Sequence, residues 1–430
     1  MRAGPFSIRE ILEEFHMSLP LEGVKVIDLT TFLATPTTGR VLGEWGADVI
    51  KVEAAKGDPT RVNQAPVYGM PMTDDENLAY DMANMHKRMI SLNLKSETGL
   101  EAMNKLLSTA DIFITNNRTK SLRKMGLDWE SLHAKYPKLI MGHGLGYGKK
   151  GPEKDAAGFD VTCYMGRGGV FGTTVDADSF PMIPTNGYGD FQASMFLAAG
   201  ILAAYIGREK SGEGDYVTCA LQHAGIYALS TGMVSAQYGN QYPKSRMRVN
   251  NPLNNVFKSK DDKWVVLCLP EYDRDWPRVL KLIGREDLLD GAHADLASIN
   301  AVNDKDLCPQ VMQILDEGFG KFTRDELLKM FKENDMPCEP AQTPVDIYED
   351  ENAIVNEYIK KVHYPNGNER WCPTAPVQFE LEGTAEFKPT ANLGADTEAV
   401  MKDLGYTDEQ IKAAEEDGSI KGDTPLHELI

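Results

Sequence analysis

A doubly wound, Rossmann-like α/β domain joined to a smaller α+β domain is the fold this sequence predicts, on three observations. Short apolar segments of strand character alternate with helix-like segments from residue 19 to about 225, and such alternation builds a parallel sheet covered by helices. After about residue 250 the alternation stops, and a hairpin pattern with separate helices takes over. The length, 430 residues, exceeds what one compact domain usually holds.

The segments run in this order. Residues 1–18, MRAGPFSIREILEEFHMS, are a short amphipathic N-terminal extension to which the residues assign no function. VKVIDL (24–29) reads as a buried strand. TPTTGRVLGEW (35–45) has helical spacing, with Pro36 suited to a first turn. ADVIKVE (47–53) is a second strand, which closes a βαβ unit. MISLNL (89–94), DIFITN (111–116), KLIMGH (138–143) and DYVTCAL (215–221) read as further strands. ETGLEAMNKLLSTA (97–110) and the buried MFLAAGILAAYIG (195–207) read as helices. Residues 19–225 thus form the first part of a large domain, and 226–250 a linker. Residues 251–344 form the small domain, with a hairpin turning at Asp261 and Asp262 and helices around 274–284 and 324–335. Residues 345–430 return to mixed elements, with an acidic helical tail around 407–417.

A formal net charge of -19 argues against nucleic acid or an anionic membrane as the main partner. It leaves room for a phosphate-bearing small ligand at a local cluster of Lys and Arg. The six cysteines, Cys163, Cys219, Cys268, Cys308, Cys338 and Cys372, form no CxxC pair and read as reduced core thiols. The first residues carry acids where a signal peptide needs an apolar core. The most apolar run, 195–206, is too short to span a bilayer. A cytoplasmic protein without membrane or nucleic-acid partners is expected.

The turn after the first strand, TTFLATPTTG, lacks GxGxxG, which excludes a dinucleotide site of the usual kind there. GHGLGYG (142–148) reads as a tight loop with close backbone approach, or as a structural turn alone. GRGG (166–169), followed by Gly172, offers backbone N–H groups to an oxyanion, or is a plain connecting loop. Lys51, Arg61, Lys87, Arg88, Arg118 and Lys124 fall near strand ends, where a doubly wound sheet places its ligand crevice; each alone reads as a solvated charge. In GDFQASMFLAAG (189–200), Asp190 stands just before an apolar helix. It is either an N-cap or a nucleophilic carboxylate kept ionised by the helix dipole. Asp160, in GFD (158–160), is either a turn aspartate or a second acid that orients a substrate. The eight histidines show no metal-ligand spacing, and no metal is expected.

The stretch LEGVKVIDLTTFLATPTTGRVLGEWGADVIKVEAAKGDPTR (21–61) resembles the opening of the family III CoA-transferases. NLKSETG (93–99), ADIFITNNRTKSLRKMGLDWESL (110–132), GYGKKGP (146–152), GDFQASMFLAAGILAAY (189–205) and GEGDYV (212–217) agree with it. The resemblance runs from about residue 19 to about 412. With GFDVTCYMGRGGVFGT and YPNGNER, it is most similar to the anaerobic branch acting on (R)-2-hydroxy acids and their enoyl-CoA products.

The resemblance implies transfer of coenzyme A from an acyl-CoA, enoyl or aryl, to a free 2-hydroxy acid such as phenyllactate or 2-hydroxyisocaproate. The route would be an aspartyl anhydride and an aspartyl-CoA thioester, with Asp190 as nucleophile. It implies CoA contacts at Phe32, Leu33, Ala34, Asn116, Asn117 and Lys124. Arg61, Arg118, Gly168 and Gly169 stand as candidate phosphate or loop contacts by their place near strand ends and in the glycine loop. Ala54 and Ala157 depart from members with basic residues there. Leu33 departs from formyl-type members, which carry glutamine. No permanently bound cofactor is implied, CoA being a substrate moiety. The implied assembly is an interlaced homodimer of two threaded rings, with 345–430 completing the large domain, the active site between domains, and a 2-hydroxyacyl-CoA dehydratase as partner. The same fold hosts 2-methylacyl-CoA racemases, which need the histidine of GHD; here Phe159 stands in its place and cannot accept a proton. The other alternative, a noncatalytic CoA-binding subunit of a dehydratase complex, has the retained Asp190 against it.

Overall fold

Six short strands, five of them mostly buried on both faces and the sixth half-buried, shape the larger part of the chain. They are β1 (Lys25–Leu29), β2 (Asp48–Glu53), β3 (Lys87–Leu92), β4 (Ile112–Thr115), β5 (Ile140–Leu145) and β6 (Tyr216–Ala220). All pair in parallel, in the order β3-β2-β1-β4-β5-β6. A short strand, Ile420–Lys421, adds antiparallel to β3. The structure is a computed structural model describing residues 19–177, 179–380 and 385–430; the predicted N-terminal extension, 1–18, lies outside the described residues.

Successive side chains of a strand point to opposite faces. Ile27, Leu29, Ile50, Val52 and Phe113 pack on one side, against helix α4 (below) and the C-terminal helices Thr397–Asp403 and Asp408–Glu416. Val26, Val49, Ile112 and Ile140 pack on the other, with Leu42, Leu197 and Ile201. The helices of this unit, in chain order, are α1 (Ala34–Glu44), α2 (Thr60–Val67), α3 (Leu78–Asn84), α4 (Glu97–Thr109), α5 (Thr119–Met125), α6 (Trp129–Lys135), α7 (Tyr188–Ser211) and α8 (Leu221–Ala228). By length and composition α7 could cross a membrane, but Leu197 and Ile201 lie in the packed layer over the sheet.

Two of the four glycines of GHGLGYG, Gly142 and Gly144, belong to β5 and serve close approach, one of the two readings open from sequence. A Cβ on Gly142 would stand 2.5 Å from Ile201 of α7, and one on Gly144 only 1.9 Å from Thr35 of α1. Both helices therefore sit lower on the sheet than a side chain would allow.

The chain divides into two compact units, Met1–Val170 with Ile183–Ser230 and Ile354–Ile430, and Phe171–Met182 with Thr231–Ala353. The second holds an antiparallel sheet of β7 (Asn254–Lys258), β8 (Trp264–Cys268) and β9 (Cys338–Pro340). Helices α9 (Tyr272–Leu282), α10 (Cys308–Phe319) and α11 (Arg324–Glu333) complete it. Its core is aromatic: Trp276, Phe257, Phe319 and Phe331 are fully buried, and Phe257 stacks on Phe319 at 4.4 Å. Asp262 turns the hairpin with φ 61°, a left-handed conformation that aspartate tolerates. All six cysteines are free; Cys163, Cys308, Cys338 and Cys372 are buried, whereas Cys268 is exposed and so not a core thiol.

Three of the six cations expected to line the ligand crevice are turned inward instead. Lys51 pairs with Asp58 at 3.1 Å and Lys87 with Asp28 at 2.8 Å, all four side chains wholly buried. Arg61, expected to contact phosphate, gives Nε and Nη2 to Glu53 and Nη1 to the carbonyl of Ala391. A cation out of water must be paired and hydrogen-bonded, so these groups hold the fold rather than a ligand. Replacing Lys51 by Met should leave Asp58 buried without its cation and cost about 3–5 kcal/mol of unfolding free energy. Adding Asp58→Leu should recover much of that loss. Urea unfolding of both variants checks this, and a single-variant loss below about 1 kcal/mol would mean the pair is hydrated.

Candidate active site

The strand order reverses between β1 and β4, because the chain winds outward from β1 through β2 and β3 and then returns to β1's other side. At such a switch point the two following loops part and leave a crevice beyond the carboxyl ends of the strands. Phe32, Leu33 and Ala34 follow β1, and Asn116 and Asn117 follow β4, so five of the six predicted CoA contacts meet at this crevice.

Loop 30–33 is held from below and from the side. The Thr31 N–H donates to Asn116 Oδ1 at 3.0 Å, and Asn116 Nδ2 donates back to the Thr31 carbonyl at 2.6 Å. The Phe32 N–H donates to Asp58 Oδ1 at 3.3 Å, and Lys51 Nζ donates to the Thr30 carbonyl at 3.0 Å. Asn117 braces the same place, its Nδ2 donating to the Leu29 carbonyl at 3.3 Å. These bonds sustain a left-handed backbone at Phe32, φ 67°, a conformation that disfavours a bulky residue and costs of order 1–3 kcal/mol. The ring is thereby held out, 39% exposed, edge-on to Phe159 at 5.6 Å; Phe159 is itself 55% exposed. A cavity of about 100 Å³ lies beneath, lined among others by Ala34, Asn116, Gly144, Gly158, Ala193 and Cys219.

The start of α7 is built in an unusual way. Gly187, φ 83°, occupies the cap position with no side chain to accept the first N–H groups. Asp190 is the third residue of the helix and not its N-cap, which corrects one of the two sequence readings. The capping carboxylate comes from Asp160, whose Oδ1 accepts the Gly189 N–H at 3.0 Å. Gly189 itself has no room for a side chain: a Cβ would stand 2.1 Å from the ring of Tyr164. The Tyr164 hydroxyl donates to Gln192 Oε1 at 2.8 Å, one turn along. Tyr164 lies on the π-helix Val161–Arg167 that starts just after Asp160.

Asp190 is half-buried, and among the described residues no hydrogen bond holds its carboxylate. Burial first, and the nearby charge of Asp160 second, push it up to about 7. The expectation that the helix dipole keeps it ionised is therefore outweighed: loss of water and a like charge both favour the protonated form. Asp160 is raised too, by burial, against hydrogen bonds from the backbone of Gly189, Gly187 and Tyr188. Among the described residues its Oδ2 is buried without a hydrogen-bond partner.

Other predicted contacts fall elsewhere. The Gly168 N–H donates to the Cys163 carbonyl at 2.7 Å and the Gly169 N–H to the Gly166 carbonyl at 3.0 Å, so neither is spare for an oxyanion. Gly168 is small because Gly225 of α8 lies against it, 3.0 Å from where a Cβ would be. Arg118, just before α5, and Lys124 on it are exposed, outside the lining of a second cavity of about 390 Å³. Lys120 and Arg123 of the same helix do line it, together with Lys149, Lys150, Lys154 and Trp129. These five cations were not singled out in sequence; the run GYGKKGPEK was the available signal. Lys149 Nζ stands 5.3 Å from the ring of Tyr216, which stacks on Trp129 at 5.6 Å.

Residues 21–397 match the family model described as CoA-transferase family III. The chain is 42% identical over 402 residues to cinnamoyl-CoA:phenyllactate CoA-transferase of Clostridium sporogenes, covering 93% of this chain and 96% of that one. It is 40% identical over 393 residues to (R)-2-hydroxy-4-methylpentanoate CoA-transferase of Clostridioides difficile, covering 91% and 97%. Among solved structures it resembles a CAIB/BAIF family protein from Brucella suis, with a TM-score of 0.76 and 25% identity, covering 90% of this chain and 100% of that one.

A raised carboxyl in the fold has a consequence for stability. The unfolded chain ionises an aspartate near pH 4, whereas folded Asp190 does so near 7. The stability contributed by protonated Asp190 is thus full below about pH 4 and is lost as pH rises through 7. Asparagine carries no such dependence. The melting temperature of Asp190→Asn should therefore gain on the wild type between pH 4 and pH 8, read by scanning calorimetry. A constant difference would mean that Asp190 is solvated as in the unfolded chain.

Proposed function

Because the chain belongs to CoA-transferase family III, we propose that it moves CoA from an enoyl- or aryl-acyl-CoA to a free 2-hydroxy acid, with Asp190 as covalent nucleophile. The observation that carries this reading is a carboxylate in the first turn of α7 that no hydrogen bond holds among the described residues, on the same helix whose Ala193 and Leu197 line the cavity at the switch point. A carboxylate suits the task because its anhydride and thioester both retain the reactivity of the starting thioester.

The steps balance without net proton transfer. Ionised Asp190 attacks the acyl carbonyl, the C–S bond breaks, and CoA thiolate leaves a mixed anhydride. The thiolate attacks the aspartyl carbonyl and the donor acid departs as carboxylate, leaving an aspartyl-CoA thioester. The carboxylate of the 2-hydroxy acid attacks that thioester and again expels thiolate. Attack by thiolate on the new anhydride, at the acceptor's carbonyl, releases the product and restores Asp190.

The apolar groups after β1 favour an aryl or branched acyl group: the exposed rings of Phe32 and Phe159 meet edge to face, and Leu33 is buried. The named substrates of the two relatives, phenyllactate and 2-hydroxy-4-methylpentanoate, are of that kind. Lys120, Arg123, Lys149, Lys150 and Lys154 suit the phosphates of CoA, and Phe32, Ala34 and Asn116 its thiol end. Phe159 speaks against proton exchange at the α-carbon, since it cannot accept a proton. The enzyme works in the cytoplasm as an interlaced homodimer and hands its 2-hydroxyacyl-CoA product to a dehydratase.

Thioester exchange with a panel of acids, read by mass spectrometry, should rank phenyllactate and 2-hydroxyisocaproate above formate, oxalate and succinate in kcat/KM. The opposite order would sink the substrate assignment. Acyl-CoA followed by hydroxylamine should place one label, and peptide mapping should find it at position 190. Asp190→Asn should lower turnover by about 10³-fold or more while CoA binding persists; an active variant labelled at Asp160 would reverse the roles of the two acids.

A further inference from the structure

We infer that Asp160 is the positioning residue of the nucleophile: its carboxylate caps the helix that carries Asp190 and cancels that helix's positive end. The inference rests on the reading of Asp190 as nucleophile. It assigns Asp160 neither a covalent step nor a substrate hydroxyl.

Three features of the structure carry it. α7 begins without a cap of its own, at a left-handed glycine. Asp160, 29 residues away in sequence, supplies the acceptor to the Gly189 N–H, adjacent to Asp190 in the chain. Asp160 is only 5% exposed, so its carboxyl group is buried at this end of the helix, and among the described residues its Oδ2 has no partner. A site for a substrate hydroxyl would have to be open; this one is closed.

The electrostatic consequence follows. A helix start carries about half a positive charge, which lowers the basicity of an acid in its first turn. A carboxylate placed on the N–H groups offsets that charge and adds repulsion of its own. Asp190 therefore stays a more basic, and hence stronger, nucleophile than a first-turn aspartate would otherwise be. The titratable groups on which the charge of Asp160 bears are Asp190 of α7, Tyr164 of the π-helix and Tyr68 at the end of α2. No lysine or arginine among the described residues contributes to holding it.

Asp160→Asn separates cap from charge, because the amide oxygen still accepts the Gly189 N–H. The acidic limb of kcat/KM against pH should move down by about one unit. At pH 8.5, kcat should fall about 3–10-fold, with KM for both substrates unchanged and hydroxylamine still labelling position 190. Asp160→Ala removes the cap as well and should add a lower melting temperature to the same pH shift. An unmoved acidic limb in Asp160→Asn would overturn the inference and leave a cap alone. A selective rise in KM for the 2-hydroxy acid would overturn it in favour of a substrate-orienting acid. Labelling of the wild type elsewhere than position 190 would remove the nucleophile assignment, and this inference with it, whatever Asp160→Asn does.

Discussion

Two ammonium groups, Lys51 and Lys87, lie wholly out of water beneath the carboxyl end of β1. Everything above them depends on how they are satisfied. Lys87 donates to Asp28, to the Pro36 and Ala83 carbonyls and to Asn84, so it ties the first turn of α1 to the sheet and to the end of α3. Lys51 holds the Thr30 carbonyl and Asp58, and Asp58 in turn holds the Phe32 N–H. The ionic layer thus fixes the backbone that presents Phe32 to the crevice. Burial pulls the Lys87 ammonium down to about 8, a sign of how dry this layer is.

Strain and unfavourable charge meet at the crevice. Phe32 is held left-handed, two carboxyls face each other across the start of α7, and the Oδ2 of one is without a partner. None of these would persist in a flexible setting. The glycines that let α1 and α7 sink onto β5 supply the rigidity, since they remove the gap in which either helix could shift.

What the sequence reveals and what it hides divide along one line. Hydrophobic runs locate the strands closely: 24–29 against Lys25–Leu29, and 47–53 against Asp48–Glu53. β5 begins and ends two residues later than 138–143, because Gly144 reads as a loop residue although packing against Thr35 is what requires it. The apolar window 195–207 finds only the middle of α7, which begins at Tyr188. The residues after β1 and β4 come from the family resemblance, while the strand ends that carry them are legible in the hydrophobic runs. The inward turn of Lys51, Lys87 and Arg61 is not, because it depends on acids brought near by the fold: Asp28 lies 59 residues from Lys87. The cap from Asp160 is hidden for the same reason. The basic cavity is hidden in another way, its cations being split between α5 and the loop after β5.

The contact between Tyr164 and Gly189 has mechanical reach. α7 has 24 residues, so it is a rod of about 36 Å. Its far end is anchored where Arg208 grips Asp111, at 2.8 Å, beside the start of β4. A methyl group at position 189 would have to displace the aromatic ring or tilt the rod. A tilt of about 5° would carry the distant end some ~3 Å over that length, enough to break the arginine's grip. The hinge of this lever is one missing carbon atom, and the opposite rim of the sheet registers whether it is missing.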